Sequence, residues 1–425
     1  MRLSGSPRRA AALDVGFYLV SAVFAGATAV FSEFYGYRIW GALAVVAYLV
    51  GLIQALLLLN GRVRLGRVFG SRFLPVWLTA GIGMVAPLVV LLIRRLQDVP
   101  WSEQPEVWVI ENSATRLLHT GSPYLDLATL GRPPIVDDYT PYGVAMSVFG
   151  IPHALFGLSA LTDGRVAFGV VSALIVLVAL RVLGRPKIPV RAAQLILACP
   201  LTTLTFAVAG DDLVIVALML LALALLYRRR PVFCGGVIAV AVSIKLTASP
   251  ALIVLAVAAF GMFGLRSLLR FCAAVLGVGF VVTVPVLLVD PRNFIEQVIK
   301  FPLGIGIAHS PAESPLPGVL IGQLGPAGHD VAIALMLATA LAIGIWLVIR
   351  PPKLASDAAM RSAIGLGLAI MLSPATRYGY LIYPLALFGA AITLRAKENQ
   401  DEQVAIDEFL PEPAEVLSLS RRAAS

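Results

Sequence analysis

The chain has 425 residues, 59% apolar and only 13% charged, with a mean hydropathy of +0.89. A soluble domain carries roughly 45–50% apolar and about 25% charged residues, so soluble, disordered, collagen-like and disulfide-stapled classes are excluded, and repeated apolar runs make it an all-α polytopic membrane protein. The net charge of +9 is then a topology signal, and no nucleic-acid partner is expected.

Arg2, Arg8 and Arg9 precede the first predicted span, Val15 to Phe31. No small-residue cleavage site leads from that stretch into a soluble domain, so it reads as a span and not a leader. Ile39 to Leu59 and Leu74 to Ile93 follow, separated by Arg62, Arg64, Arg67 and Arg72. Both basic clusters belong in the cytoplasm by the positive-inside rule. The segment after Ile93 is then external to about Tyr139, and to about residue 165 if the apolar run that follows does not cross, with Arg94 and Arg95 on the disfavoured side.

Two topologies are open at the apolar run Thr140 to Leu161. If it crosses, the clusters Arg181/Arg185/Lys187/Arg191, Arg228/Arg229/Arg230 and Arg266/Arg270 lie outside. If it only dips into the outer leaflet, all three lie inside. Pro141, Gly143, Gly150, Pro152 and Gly157 favour a broken element. The predicted spans that follow are Val166 to Leu183, Ala192 to Ala209, Leu213 to Tyr227, Val232 to Ile244, Ala251 to Leu265 and Phe271 to Val289. A second external loop covers residues 290–330, and Val331 to Ile349, Ser362 to Leu372 and Tyr380 to Leu394 complete about twelve. The chain thus divides into an N-terminal hairpin (1–72), a membrane region (73–394) and an acidic, disordered cytoplasmic tail (395–425). The cysteines Cys199, Cys234 and Cys272 fall in apolar runs and form no metal or disulfide pattern.

Two loop segments read as helices lying on the membrane. From Pro105 to His119, Val107, Ile110, Ala114 and Leu117 recur at helical spacing before Gly121 and Pro123, with Glu106 at the dipole-favoured N-terminal end. Asp290 is a good N-cap with Pro291 at the first helical position, ahead of the stripe Phe294, Ile295, Val298 and Ile299.

With the dip, polar interruptions collect at the outer face, as a site at the membrane interface requires. Glu106, Glu111, Asp137, Asp138, Tyr139, Asp211, Asp212, Lys245 and Arg377 are the main candidates. Lys245, between Ile244 and Leu246, must snorkel or pair with an anion. Glu106 and the Asp211–Asp212 pair can equally serve as helix caps. His119, His153, His309 and His329 share no metal-ligand spacing; His309, in the second external loop, is kept as a substrate-binding candidate.

Glu106-Val107-Trp108-Val109, then Ala114, then Leu117-Leu118-His119-Thr120-Gly121-Ser122-Pro123-Tyr124, resembles the first external loop of glycosyltransferase family 87 in the GT-C superfamily. Tyr139-Thr140-Pro141 is similar to that family's Tyr-Pro-Pro motif. Gly210-Asp211-Asp212-Leu213, the segment ending Ile244-Lys245-Leu246-Thr247, and Leu372-Ser373-Pro374-Ala375-Thr376-Arg377 resemble its polar break, its Lys-hydrophobic-Thr motif and its Ser-Pro motif. The likeness covers roughly residues 74–394. The family's usual loop acid is aspartate, where this chain has Glu106, and its aromatic residues after the Ser-Pro motif are replaced around Arg377.

The resemblance implies a GT-C-like helix bundle that moves a sugar, mannose above all, from a polyprenyl-phosphate donor to a glycan or glycolipid acceptor. It would act at the outer face of a bacterial cytoplasmic membrane. Glu106 would be the base of a single inverting displacement. Lys245 and Arg377 would meet the donor phosphate, with Lys300 and Arg292 in reserve, and Glu111, Asp137, Asp138, Tyr139, Asp211, Asp212 and His309 would line the substrate site. No metal or other cofactor is expected, since cations can neutralise the leaving phosphate. A lipid or sugar transporter, a glycan ligase using a diphosphate-linked donor, and an inactive relative serving in assembly are the competing readings.

Overall fold

The structure, a computed structural model, describes residues 7–61, 66–302, 304–308 and 312–409, with side chains through residue 404. Its principal helices are α1 (Pro7–Phe31), α2 (Tyr35–Asn60), α3 (Leu74–Arg95), α4 (Pro105–Thr120), α5 (Gly164–Val182), α6 (Val190–Val208) and α7 (Asp211–Tyr227). They continue as α8 (Pro231–Ile244), α9 (Leu246–Phe263), α10 (Leu265–Val289), α11 (Pro326–Ile349), α12 (Ala355–Leu372) and α13 (Ile382–Phe409). Every predicted span forms a helix. Among the described residues, ten helices are long and apolar enough to cross a membrane. The two remaining predicted spans, α7 with 17 residues and α8 with 14, fall short of that length.

Ion pairs and hydrogen bonds show which helix ends share a face. Asp14 near the start of α1 bonds Arg72 before α3 at 2.5 Å and Arg191 in α6 at 3.0 Å. At the other end, Arg95 closing α3 meets Asp163 just before α5 at 2.7 Å. The whole stretch from residue 96 to 163 therefore leaves and returns on one face of the bundle. Its apolar run is broken as the prolines and glycines require: a 3-10 turn, Val144–Gly150, followed by a six-residue helix, Ile151–Phe156. The later helices alternate. Asp211 opening α7 meets Lys245 at the end of α8, whereas Arg229 after α7 stacks on Phe263 at the far end of α9. Arg72, Arg191 and Arg229 thus lie on the face opposite Glu106, Lys245 and Arg377.

Apolar helices in lipid gain little from the hydrophobic effect, so close packing holds the bundle. Helix α7 is apolar all round below its first turn and is nearly enclosed. Helix α10 buries only Phe271 and Val286, leaving its outer side to lipid. The N-terminal hairpin packs on α6 through Trp40, whose indole N–H donates to Thr203 at 3.3 Å, and Tyr48, whose hydroxyl reaches the Ala198 carbonyl at 3.0 Å. The final helix does not stop at the predicted boundary after Leu394 but runs to Phe409. Glu398 explains the extension: its carboxylate accepts from the Ser356 hydroxyl at 2.5 Å and the Ser356 N–H at 3.1 Å, tying this turn to α12. The remainder of the predicted tail lies outside the described residues.

Both predicted loop helices form. Helix α4 does not turn its apolar stripe to the membrane as expected: Val107, Ile110 and Ala114 are fully buried within the protein, and the helix ends at Gly121. Asp290 caps the second, accepting from the Asn293 N–H at 3.3 Å and from the Ser122 hydroxyl at 2.7 Å, which joins the two loop segments.

Candidate active site

Four chain segments deliver charge to one place. Helix α7 opens on Asp211 and Asp212 because Gly210, at φ +90°, takes the left-handed conformation that turns the chain into the helix. Their carboxylates sit at the electropositive helix N-terminus. Helix α8 ends at Ile244, and the extended Lys245 sends its ammonium back to Asp212 Oδ1 at 2.5 Å and Asp211 Oδ2 at 3.4 Å. Tyr383 donates to Asp212 Oδ1 at 2.5 Å and Tyr142 to Asp211 Oδ2 at 3.2 Å. The rings of Tyr380 and Tyr142 lie 4.9 and 5.4 Å from the ammonium. Burial opposes the charge on Lys245, but Asp212 and Asp211 outweigh it and hold its pKa above the ordinary lysine value.

Tyr142 reaches this place because the following residue is glycine. The Gly143 N–H donates to the Ile244 carbonyl at 2.9 Å, and a Cβ at position 143 would stand 1.9 Å from the Ser243 carbonyl oxygen. Only a residue without a side chain lets the broken segment lie against the end of α8.

The second half of the cluster is Glu106, in the first turn of α4, paired with Arg377 from the break between α12 and α13. Arg377 engages Glu106 Oε1, while Glu106 Oε2 is buried with no hydrogen-bond partner among the described residues. Burial alone would lower the Arg377 pKa; the Glu106 carboxylate outweighs it and the value is raised. Glu106 also lies within electrostatic reach of Asp211, Tyr142 and Tyr380, so the two halves form one cluster. Three carboxylates and two cations leave it one negative charge in excess. Beside it a cavity of about 160 Å³ is lined by Val144, Val242, Ser243, Leu246, Val275 and Val298, among others, and its wall of mostly apolar side chains includes one side of α10.

The structure thus brings together Glu106, Asp211, Asp212, Lys245 and Arg377. It does not bring the other candidates to them. Glu111 accepts two bonds from Arg95 at 2.6 and 2.9 Å and one from the Gly164 N–H at 3.0 Å, within a buried network that includes Asp163, Arg165 and Glu103. Asp138 pairs with Arg132 at 2.6 Å, which holds its pKa low, and Asp137 is exposed. Tyr139 stacks on Phe301 at 4.4 Å and faces Glu296 in the second loop. Lys300 pairs with Glu296 at 3.3 Å. His309 lies outside the described residues.

Sequence reasoning did not single out Tyr142, Tyr380 or Tyr383. The three-residue spacing of Tyr380 and Tyr383, just after Arg377, is the signal that puts both on one helix face.

The family model for glycosyltransferase family 87 matches residues 139–374, more than half of the chain. The chain belongs to glycosyltransferase family 87. No curated protein and no solved structure matches it. Membership makes this membrane protein a glycosyltransferase and sets the transporter reading aside. The matched region contains Tyr142, Asp211, Asp212 and Lys245; Glu106 precedes it and Arg377 follows it. The fold returns both to the edge of the matched cluster.

Proposed function

We propose that this family 87 transferase moves mannose from polyprenyl phosphate to a hydroxyl of a glycan or glycolipid acceptor, with inversion, at the outer face of a bacterial cytoplasmic membrane. The observation that carries the reading is the Glu106–Arg377 pair: one carboxylate oxygen engaged by a guanidinium, the other buried and free to accept a proton. In the displacement the acceptor oxygen bonds to the anomeric carbon, its proton passes to Glu106 Oε2, and the carbon–oxygen bond to phosphate breaks with its electron pair. Arg377, the more exposed of the two cations, neutralises the departing phosphate. Lys245, already engaged by two carboxylates, fixes Asp211 and Asp212, which with Tyr142 hold sugar hydroxyls. The apolar cavity beside Leu246 supports a lipid-linked donor, since it would receive the first isoprene units. Arg72, Arg191 and Arg229 on the opposite face support an external site.

The test uses purified protein in lipid nanodiscs with polyprenyl-phosphate mannose and candidate glycolipid acceptors, product being read by mass spectrometry. Wild type should transfer mannose. Glu106→Gln should lose about 10²- to 10⁴-fold in rate while still binding donor, and Glu106→Asp should keep partial activity. Transfer by Glu106→Gln at the wild-type rate refutes the assignment of the base. Product formed only from a diphosphate-linked donor refutes the donor class.

A further inference from the structure

We propose that the N-terminal hairpin, which lies outside the matched family region, is part of the active site: the Tyr37 hydroxyl of α2 donates a hydrogen bond to the sugar held beside Glu106 and Arg377. The inference rests on the proposed function above and adds a specificity-determining residue to it.

The start of α2 is fastened to the approach to Glu106 at several points. The Gly36 N–H donates to the Trp101 carbonyl at 2.9 Å, and the Phe34 and Trp101 rings lie 5.2 Å apart. Gln104, two residues before Glu106, donates its backbone N–H to the Val208 carbonyl at 2.9 Å and its side-chain amide to the Tyr37 hydroxyl oxygen. The Tyr37 hydroxyl lies within electrostatic reach of Glu106, Arg377 and Asp211. Because the Gln104 amide supplies a proton to the phenolic oxygen, the tyrosine's own O–H is left to donate elsewhere. Among the described residues nothing accepts it. The helix beneath is rigid, locked to α6 by Trp40 and Tyr48, and a donor on such an element keeps its aim. A hydroxyl beside a charged cluster, with a free proton, suits the hydroxyl oxygens of a hexose.

Tyr37→Phe removes only that hydroxyl, and Gln104→Met is the control, since it breaks the same Gln104–Tyr37 bond but keeps the hydroxyl. Transfer from polyprenyl-phosphate mannose should fall about 10-fold in Tyr37→Phe and by less than about 3-fold in Gln104→Met. Binding separates a sugar contact from a structural prop. Tyr37→Phe should weaken binding of polyprenyl-phosphate mannose but not of polyprenyl phosphate lacking the sugar. Equal losses in the two variants would reduce Tyr37 to an anchor for Gln104 and overturn the inference, as would wild-type transfer by Tyr37→Phe. If Glu106→Gln is dead while Tyr37→Phe is fully active, only this inference fails. Active Glu106→Gln instead strikes the proposed function.

Discussion

Lys245→Met separates two roles for the most deeply embedded cation of the site. Sequence reasoning gives Lys245 to the donor phosphate; the geometry gives it to Asp211 and Asp212. Its ammonium stands 2.5 Å from Asp212 and 3.4 Å from Asp211, and the side chains of all three are about nine-tenths buried. At an effective dielectric constant of about 20, unit charges about 3 Å apart attract by about 5 kcal/mol. Removing one partner of a buried pair costs about 3–5 kcal/mol, because the other charge stays buried without compensation. Here two adjacent carboxylates are left with only the hydroxyls of Tyr142 and Tyr383. Lys245→Met should therefore lower the thermal unfolding midpoint of the detergent-solubilised protein by several degrees. Adding Asp212→Asn, which removes one of the orphaned charges, should recover part of that loss; the non-additivity of the double-mutant cycle measures the coupling. Binding of polyprenyl phosphate, read on the folded fraction, should change less than in Arg377→Gln. Unchanged stability together with abolished donor binding would refute this reasoning and return Lys245 to the phosphate.

Two further outcomes are expected. Burial opposes ionisation of Asp163, but Arg165 and Arg95 outweigh it and its folded pKa lies below the usual value; its contribution is complete above the unfolded value of about 3.9 and is lost as pH falls through the lower folded one. The difference in unfolding temperature between wild type and Asp163→Asn should thus be flat from about pH 7 to 5 and shrink below about pH 4, and a difference that grows with acid would contradict the network. A single cysteine at Arg229 should resist an impermeant thiol reagent added outside the cell, whereas one at Glu313 should react; labelling at 229 would reverse the topology.

The fold was legible because lipid imposes a blunt rule on sequence. Twelve apolar runs had to become helices, and each did. Proline and glycine in Thr140 to Leu161 foretold the break that structure shows at Gly143, where backbone meets backbone. The end of α13 was not legible. The tail's acidic composition argues for solvation, but distant partners hold the extended helix: Ser356 bonds Glu398 and the Tyr227 hydroxyl bonds Asp401. Partners 42 and 174 residues away leave no local pattern.

The site was legible wherever a charge interrupted apolar sequence, as Lys245 and Asp211–Asp212 do. It was misread wherever charge met charge across the fold. Arg95 counted against the external loop because the positive-inside rule treats arginines as free cations. In the structure it is bonded to Glu103, Glu111 and Asp163 and brings no exposed positive charge to that face. The same pairing takes Glu111, which by composition looks as functional as Glu106 five residues earlier, and makes it the far end of an arginine clamp. The two glutamates differ in what their helix faces meet: Glu111 meets a buried network that satisfies it, and Glu106 meets one arginine and keeps an oxygen without a partner. That unsatisfied oxygen is the feature a base needs. It depends on the register of α4 against α12 and α13, which residues 271 positions apart set and no motif records.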